Sequence, residues 1–172
     1  MRHIELITTG GTIEKTYDAS SGALANTRSI VSRMLQRLRL PSSEVHVRNL
    51  MSKDSLELTE DDRQLILRAV KGAAQLSHSI VILHGTDTLA RTGELIHESL
   101  PDLQAAVVLT GAMRPFEMKR SDALQNLTEA LLASTILPPG VYCAFHGQTL
   151  RFPGVAKDRD NLTFTGTAAA AE

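Results

Sequence analysis

Five apolar runs rich in branched residues punctuate the chain, at Ile4 to Thr8, Val45 to Leu50, Ile80 to Leu83, Ala105 to Leu109 and Val141 to Phe145. Each predicts a strand. Between them the apolar residues fall at helical spacing. Ile30, Met34 and Leu38 form one stripe, and Leu65, Ala69, Ala73 and Leu76 form another. Thr59, with Asp62 three residues on, predicts the capped start of the second helix. A third helix is expected over Leu89 to Leu100, ending before Pro101, and a fourth over Ser121 to Thr135, ending before Pro138-Pro139.

Strands alternating with helices of this length predict repeated βαβ units with right-handed crossovers. The fold class is therefore α/β: an open, doubly wound, mostly parallel sheet with helices on both faces, a three-layer Rossmann-like or flavodoxin-like arrangement. No repeat of fixed period and no Gly/Ser linker interrupts the chain, so a single domain over residues 1–160 is expected, with 161–172 as a short tail. After Phe164 the text thins to TGTAAAAE, which predicts a frayed or short helical end.

Composition narrows the function classes. The 172 residues, 42% hydrophobic, suffice for one core. A formal net charge of −1 without any run of like charges recommends neither nucleic acid nor an anionic membrane, and leaves a small neutral or zwitterionic ligand. The single cysteine, Cys143 in the apolar GVYCAF, excludes an intramolecular disulfide and reads as core. MRHIELITTGG is too short in apolar residues for a signal peptide, and no segment approaches a membrane span, so a cytoplasmic location is the default expectation. The Asn126 and Asn161 glycosylation patterns carry no weight without a secretion signal.

Ligands of open α/β sheets bind beyond the carboxyl ends of the strands. The residues there are TTGGT, MSKDS, HGTDT, TGAMRP and HGQT. Neither G-x-G-x-x-G, nor a P-loop, nor a G-x-S-x-G elbow is present, and the six histidines form no H-E-x-x-H pair or Cys/His cluster, so neither nucleotide nor metal is expected. His84 and His146 lie at strand ends, where holding loop backbone is favoured over catalysis. What survives is a set of hydroxyls, a carboxylate and an ammonium: Thr12, Ser52, Thr86, Asp87 and a lysine yet to be placed. A threonine hydroxyl needs a base to take its proton, and a lysine serves as one only if desolvation outweighs the upward push of a neighbouring carboxylate. On composition alone, a helix cap or loop residue is the favoured reading of Thr12.

TTGGTIE at Thr8 to Glu14, ILHGTDTLARTGELI at Ile82 to Ile96 and VVLTGAMRPFEMKRSDALQNL at Val107 to Leu127 closely resemble the L-asparaginase/glutaminase family of bacterial type. The resemblance covers nearly the whole chain but only the amino-terminal domain of the usual family member. It implies hydrolysis of L-asparagine, with L-glutamine the weaker substrate, without cofactor or metal. It makes Thr12 the nucleophile and Thr86 and Asp87 the threonine and aspartate of a Thr-Lys-Asp group. An ungapped run from Gly140 supplies that group's lysine as Lys157. Ser52 is implied to bind the substrate α-carboxylate and Asp87 its α-ammonium, while backbone at Gly11 and near Gly85 holds the amide oxygen; Gly10 and Gly11 are then explained by substrate needing backbone without side chains.

Three departures accompany the resemblance. Lys53 stands where an uncharged residue is usual, and is tolerable if it points at a carboxylate. Tyr17 lies only five residues beyond Thr12, nearer than the family's lid tyrosine, in a polar stretch from Glu14 to Arg28 that has the character of a closing loop. The usual carboxy-terminal domain is absent, and AAAAE reads as a natural terminus. A homo-oligomer, dimer or tetramer, would complete the open cleft. Two other readings stay open: a non-catalytic asparagine or aspartate sensor, and the ammonia-donating component of an amidotransferase acting on misacylated tRNA.

Overall fold

The computed structural model describes residues 1–166. Five parallel strands, β1 (Arg2–Gly10), β4 (Ser43–Lys53), β5 (Ser79–Leu83), β6 (Ala106–Thr110) and β7 (Gly140–Phe145), form one sheet with the antiparallel β8 (Gln148–Arg151) at its edge, in the order β4-β1-β5-β6-β7-β8. Two short antiparallel hairpins stand apart from it: β2 (Thr16–Asp18) with β3 (Ala23–Ala25), and β9 (Val155–Asp158) with β10 (Thr163–Gly166).

The helices are α1 (Val31–Leu35), α2 (Glu60–Ala73), α3 (Leu89–Ser99) and α4 (Ala123–Ile136). Strand residues alternate between two buried layers. Ile80, Ile82, Val107 and Leu109 pack with Ile66, Val70 and Ile96 of α2 and α3, whereas Val81, Leu83 and Val108 pack with Met34, Leu127 and Leu131 of α1 and α4. This is the three-layer, doubly wound α/β fold that the sequence predicts. Strand order reverses between β1 and β5, so their carboxyl ends flank the topological switch point.

Thr59 caps α2 through a reciprocal capping box with Asp62. The expected stripe on that helix is corrected: Leu65 and Leu76 are exposed, and the buried face is Arg63, Ile66, Ala69, Val70 and Ala73. The first helix is a single turn ending at Leu35, which leaves Leu38 in the following loop. Cys143 is buried core, and burial pushes its thiol pKa up, away from reactivity. The expected tail begins with strand β10, whose Thr165 and Gly166 pair with Ala156 and Val155; the rest of the expected frayed end lies outside the described residues.

Two packing devices position the strand-end loops. His84 is fully buried; its Nδ1 donates to the Gly85 carbonyl and its Nε2 accepts from the Thr92 hydroxyl, tying the loop after β5 to α3. That assignment follows from desolvation, which drives the imidazole pKa down to about 4 and keeps the ring neutral. On α3, Gly93 lacks a side chain where the Phe152 ring lies: a Cβ there would sit 2.1 Å from the Phe152 Cζ. Glu94, one residue on, accepts the Gly154 amide at 2.6 Å. Phe152 and Gly154 thereby seat the hairpin that carries Lys157.

Two outcomes are expected. Gly93→Ala improves helix propensity by about 1 kcal/mol, but overpacking against Phe152 costs about 1–3 kcal/mol. Urea unfolding should show net destabilisation, largely relieved in a Gly93→Ala/Phe152→Leu double variant. For His84, the folded state favours the neutral ring, so the unfolded chain binds the extra proton first. Stability is complete above the ordinary histidine value of 6.5 and falls progressively as pH drops towards about 4, by about 2–4 kcal/mol. His84→Gln should flatten that part of the stability profile measured by denaturant titration.

Candidate active site

The sheet's carboxyl edge is built by close approach of backbone to backbone. Gly10 and Gly11 adopt φ of 99° and 79°, a conformation that strains any side chain. A Cβ on Gly10 would lie 2.5 Å from the backbone of Lys53, and one on Gly11 would lie 2.4 Å from the Gly85 nitrogen. The glycine pair is therefore explained by the chain packing on itself, not by room for substrate as expected. Thr12 and Thr86, each the next residue after one of these touching glycines, come from the two loops that flank the switch point.

Most hydroxyls at this edge are spent within the sheet. Thr9 donates to the Leu83 carbonyl at 2.8 Å, Thr110 to Ala144 at 2.7 Å, and Thr8 to the Asn49 side chain at 3.2 Å. Thr12 is different. It opens a one-turn 3-10 helix, Thr12–Glu14, whose cap position is Gly11 and which has no side-chain cap. The cap reading of Thr12 is thus excluded, and its hydroxyl makes no hydrogen bond to another described residue.

Lys157 reaches this edge from β9. Its Nζ donates to the Thr86 hydroxyl at 2.8 Å and to Asp87 Oδ1 at 2.9 Å, with the lysine side chain only 14% exposed. Thr86 is buried. The Lys157 hydrogen bond is the largest cause holding the Asp87 carboxyl below the usual carboxylate range, with the charges of Lys157 and Arg159 adding to it. Lys157 Nζ and Asp87 Oδ1 thus form a salt bridge, 2.9 Å apart. Arg159, which sequence reasoning missed, also donates to Asp87 Oδ1, at 3.1 Å. It lies in the turn just after β9, two residues beyond Lys157, and only that nearness to Lys157 was available as a signal.

The remaining expected residues are placed as follows. Ser52 Oγ is buried and without a hydrogen-bond partner among the described residues. Lys53 points away to a carboxylate, both oxygens of Asp62 lying at 2.8 Å, which also holds Asp62 down at about 2. The Gly11 N–H donates to the Lys53 carbonyl at 2.8 Å, so that amide is not free for a substrate oxygen as expected. The N–H groups of Gly85 and Thr86 make no hydrogen bond among the described residues and stay available. His146 Nε2 donates to Asp122 Oδ2 at 2.7 Å, and Asp122 also receives the Met113 and Arg114 amides, so this histidine braces the loop after β6.

The segment Glu14 to Arg28 contains the β2–β3 hairpin. Its neck is closed by Glu14, fully buried, which accepts the Ser29 hydroxyl and the Ile30 amide and whose carboxyl pKa burial pushes up. Asn26 donates to the Gly11 carbonyl at 2.8 Å and Lys15 to Asp54 at 2.6 Å. Tyr17 is not drawn into the cluster. It is 62% exposed, its hydroxyl has no hydrogen-bond partner among the described residues, and its backbone amide is held by Glu117 at 2.8 Å. No described group of three or more His, Cys, Asp or Glu residues could hold a metal ion, and no described helix is long and apolar enough to cross a membrane.

Comparison with known proteins agrees with this architecture. The family profile described as asparaginase, N-terminal, matches residues 3–163. An L-asparaginase of Thermococcus kodakarensis is 32% identical over 149 residues, covering 87% of this chain and 45% of that protein. The solved structure of the thermostable L-asparaginase from Thermococcus kodakarensis superposes with a TM-score of 0.82 at 30% identity, over 95% of this chain and 51% of that one. A glutamyl-tRNA(Gln) amidotransferase component of Methanococcus vannielii is 28% identical over 151 residues, covering 86% of this chain and 35% of its own length. The chain thus spans about half or less of the length of these relatives. A threonine after the first strand whose hydroxyl has no partner among the described residues, a Lys-Thr-Asp cluster at the switch point and a match to the family profile over residues 3–163 lead to one conclusion: the chain belongs to the asparaginase family, through that family's N-terminal domain.

Proposed function

We propose that the protein hydrolyses the side-chain amide of L-asparagine to L-aspartate and ammonia, and L-glutamine more weakly, through an acyl-enzyme on Thr12. The observation that carries this reading is Lys157 Nζ bound at once to Thr86 Oγ1 and Asp87 Oδ1, next to the loop that presents the unpartnered Thr12 hydroxyl.

For the first half-reaction Lys157 gives up a proton to solvent, and the Thr12 oxygen then attacks the amide carbon as its proton passes through Thr86 Oγ1 to the neutral Lys157 Nζ. Negative charge gathers on the amide oxygen, and the Gly85 and Thr86 amides, without a partner among the described residues, would stabilise it. The carbon–nitrogen bond then breaks, the nitrogen leaving as ammonia with the relayed proton. In the second half-reaction water attacks the threonine ester, gives its proton to the same pair, and releases aspartate as Thr12 regains its hydrogen. Ser52, buried with an unused hydroxyl, takes the α-carboxylate, and Asp87 takes the α-ammonium. Tyr17, on its hairpin, contributes from the lid. The reading needs no cofactor and includes a cytoplasmic site of action and a homo-oligomeric assembly. The similarity to an amidotransferase component supports a second reading, in which the same chemistry feeds ammonia to a partner.

Ammonia release from L-asparagine at millimolar concentration should therefore be measurable and should vanish in Thr12→Ala, whose binding of L-aspartate by calorimetry stays near wild type. Lys157→Met should lower kcat by about 10²–10⁴-fold, the range for loss of a general acid–base group. A rate within tenfold of wild type would remove Lys157 from the proton path. Binding of aspartate without turnover in the wild type would favour a sensor, and faster release from L-glutamine than from L-asparagine would favour the ammonia-donating reading.

A further inference from the structure

Two cations share one oxygen of Asp87. Lys157 Nζ lies 2.9 Å from Oδ1 and Arg159 Nη1 lies 3.1 Å from the same atom, while Oδ2 has no hydrogen-bond partner among the described residues. The two cations are held very differently. The Lys157 side chain is 14% exposed and also bonds Thr86, so freeing it would strand a largely buried charge. The Arg159 side chain is 67% exposed, and an exposed ion pair contributes little and yields easily. Arg159 is the displaceable partner.

The other aspartates on these loops offer an incoming ammonium much less. Asp54 is bonded by Lys15 on one oxygen and the Leu56 amide on the other. Both oxygens of Asp62 face Lys53, and Asp122 is occupied by His146, Asn126 and two backbone amides. Asp87 is the one whose second oxygen is left over. Yet the cluster of Lys157, Arg159 and Asp87 carries a net charge of +1, a field that favours a monoanion over a zwitterion.

We propose that Arg159 is a positioning and specificity-determining residue: it competes with a ligand ammonium for Asp87, weakening recognition of amino-acid amides relative to amides that carry a carboxylate alone. The proposal rests on the functional reading above. An ammonium that binds Asp87 must displace the guanidinium or sit beside it on Oδ2, and either arrangement costs affinity. A ligand without the ammonium leaves the Arg159–Asp87 pair intact and gains from the residual positive charge.

The test compares L-asparagine with succinamate, the same amide lacking the ammonium, in wild type, Arg159→Gln and Arg159→Lys. For Arg159→Gln the KM for L-asparagine should fall about two- to fivefold, the range that an exposed ion pair allows, with kcat unchanged. The KM for succinamate should stay the same or rise, so the preference for L-asparagine increases. Arg159→Lys, which keeps the charge, should stay near wild type. Parallel calorimetry with L-aspartate and succinate reads the same ratio without turnover. A general structural defect would shift both ligands alike, and an unchanged ratio with intact turnover or binding overturns this proposal alone. A wild-type protein that neither releases ammonia nor binds either ligand overturns the functional reading and this proposal together.

Discussion

The structure depends on backbone packed against backbone where the strands end. Gly11 touches Gly85, Gly85 lies where a Cβ would meet Ser55 at 2.6 Å, and a Cβ on Gly111 would meet the His84 carbonyl at 2.3 Å. Three loops from β1, β5 and β6 are thereby interlocked, with the loop after β4 wedged among them. Side chains at these glycines would push the loops apart by more than the length of a hydrogen bond can absorb. The interlock sets Thr12 and Thr86 on facing loops without requiring either hydroxyl for support, which leaves both for chemistry.

Charge at this edge is arranged with the same economy. Lys15 is neutralised by Asp54 and Lys53 by Asp62, and the His146 ring hydrogen-bonds Asp122, each pair bracing a loop. At Asp87, by contrast, a lysine and an arginine meet one carboxylate oxygen. Lys157 arrives there because the chain, after the sheet's edge strand β8, turns back over α3, where Phe152 fills the gap at Gly93 and Glu94 holds Gly154. A residue in the last tenth of the chain is thus positioned by the helix that follows the Thr86–Asp87 turn itself.

The sheet was legible because four strands, β1, β5, β6 and β7, are buried on both faces and leave continuous apolar runs, and the start of α2 because Thr59 and Asp62 have one local geometry that satisfies both. The face of α2 was not. Leu65 and Leu76 share helical spacing with the buried alanines, but Ile66 and Val70 compete for the same core, and burial of Arg63 could not be read from a charged residue. The β2–β3 and β9–β10 hairpins were missed because strands of three or four residues with polar composition leave no period to detect. At the site, the signal of the glycine pair was read correctly as close approach, but the partner is the chain's own backbone. Thr12, Thr86 and Asp87 were candidates by position alone. Lys157 was named only through the family resemblance, because nothing local marks a lysine on a short edge hairpin as belonging to a loop some 70 residues earlier.

Burial grades across the site in a way that separates two tasks. Lys157 and Thr86, which would move protons, are packed and hydrogen-bonded within the matched family span. The Arg159 and Tyr17 side chains, by contrast, are exposed. The placing of Lys157 against Thr86 is therefore a property of the packing of these residues themselves. Enclosure of the ligand is not. The field that Arg159 exerts on a bound ammonium grows as water is excluded around it, so any surface that covers Arg159 strengthens the competition at Asp87 while leaving the Lys157–Thr86 geometry as it is. Affinity and charge preference are then the quantities most open to change by what packs over this face, and the order of the chemical steps the least.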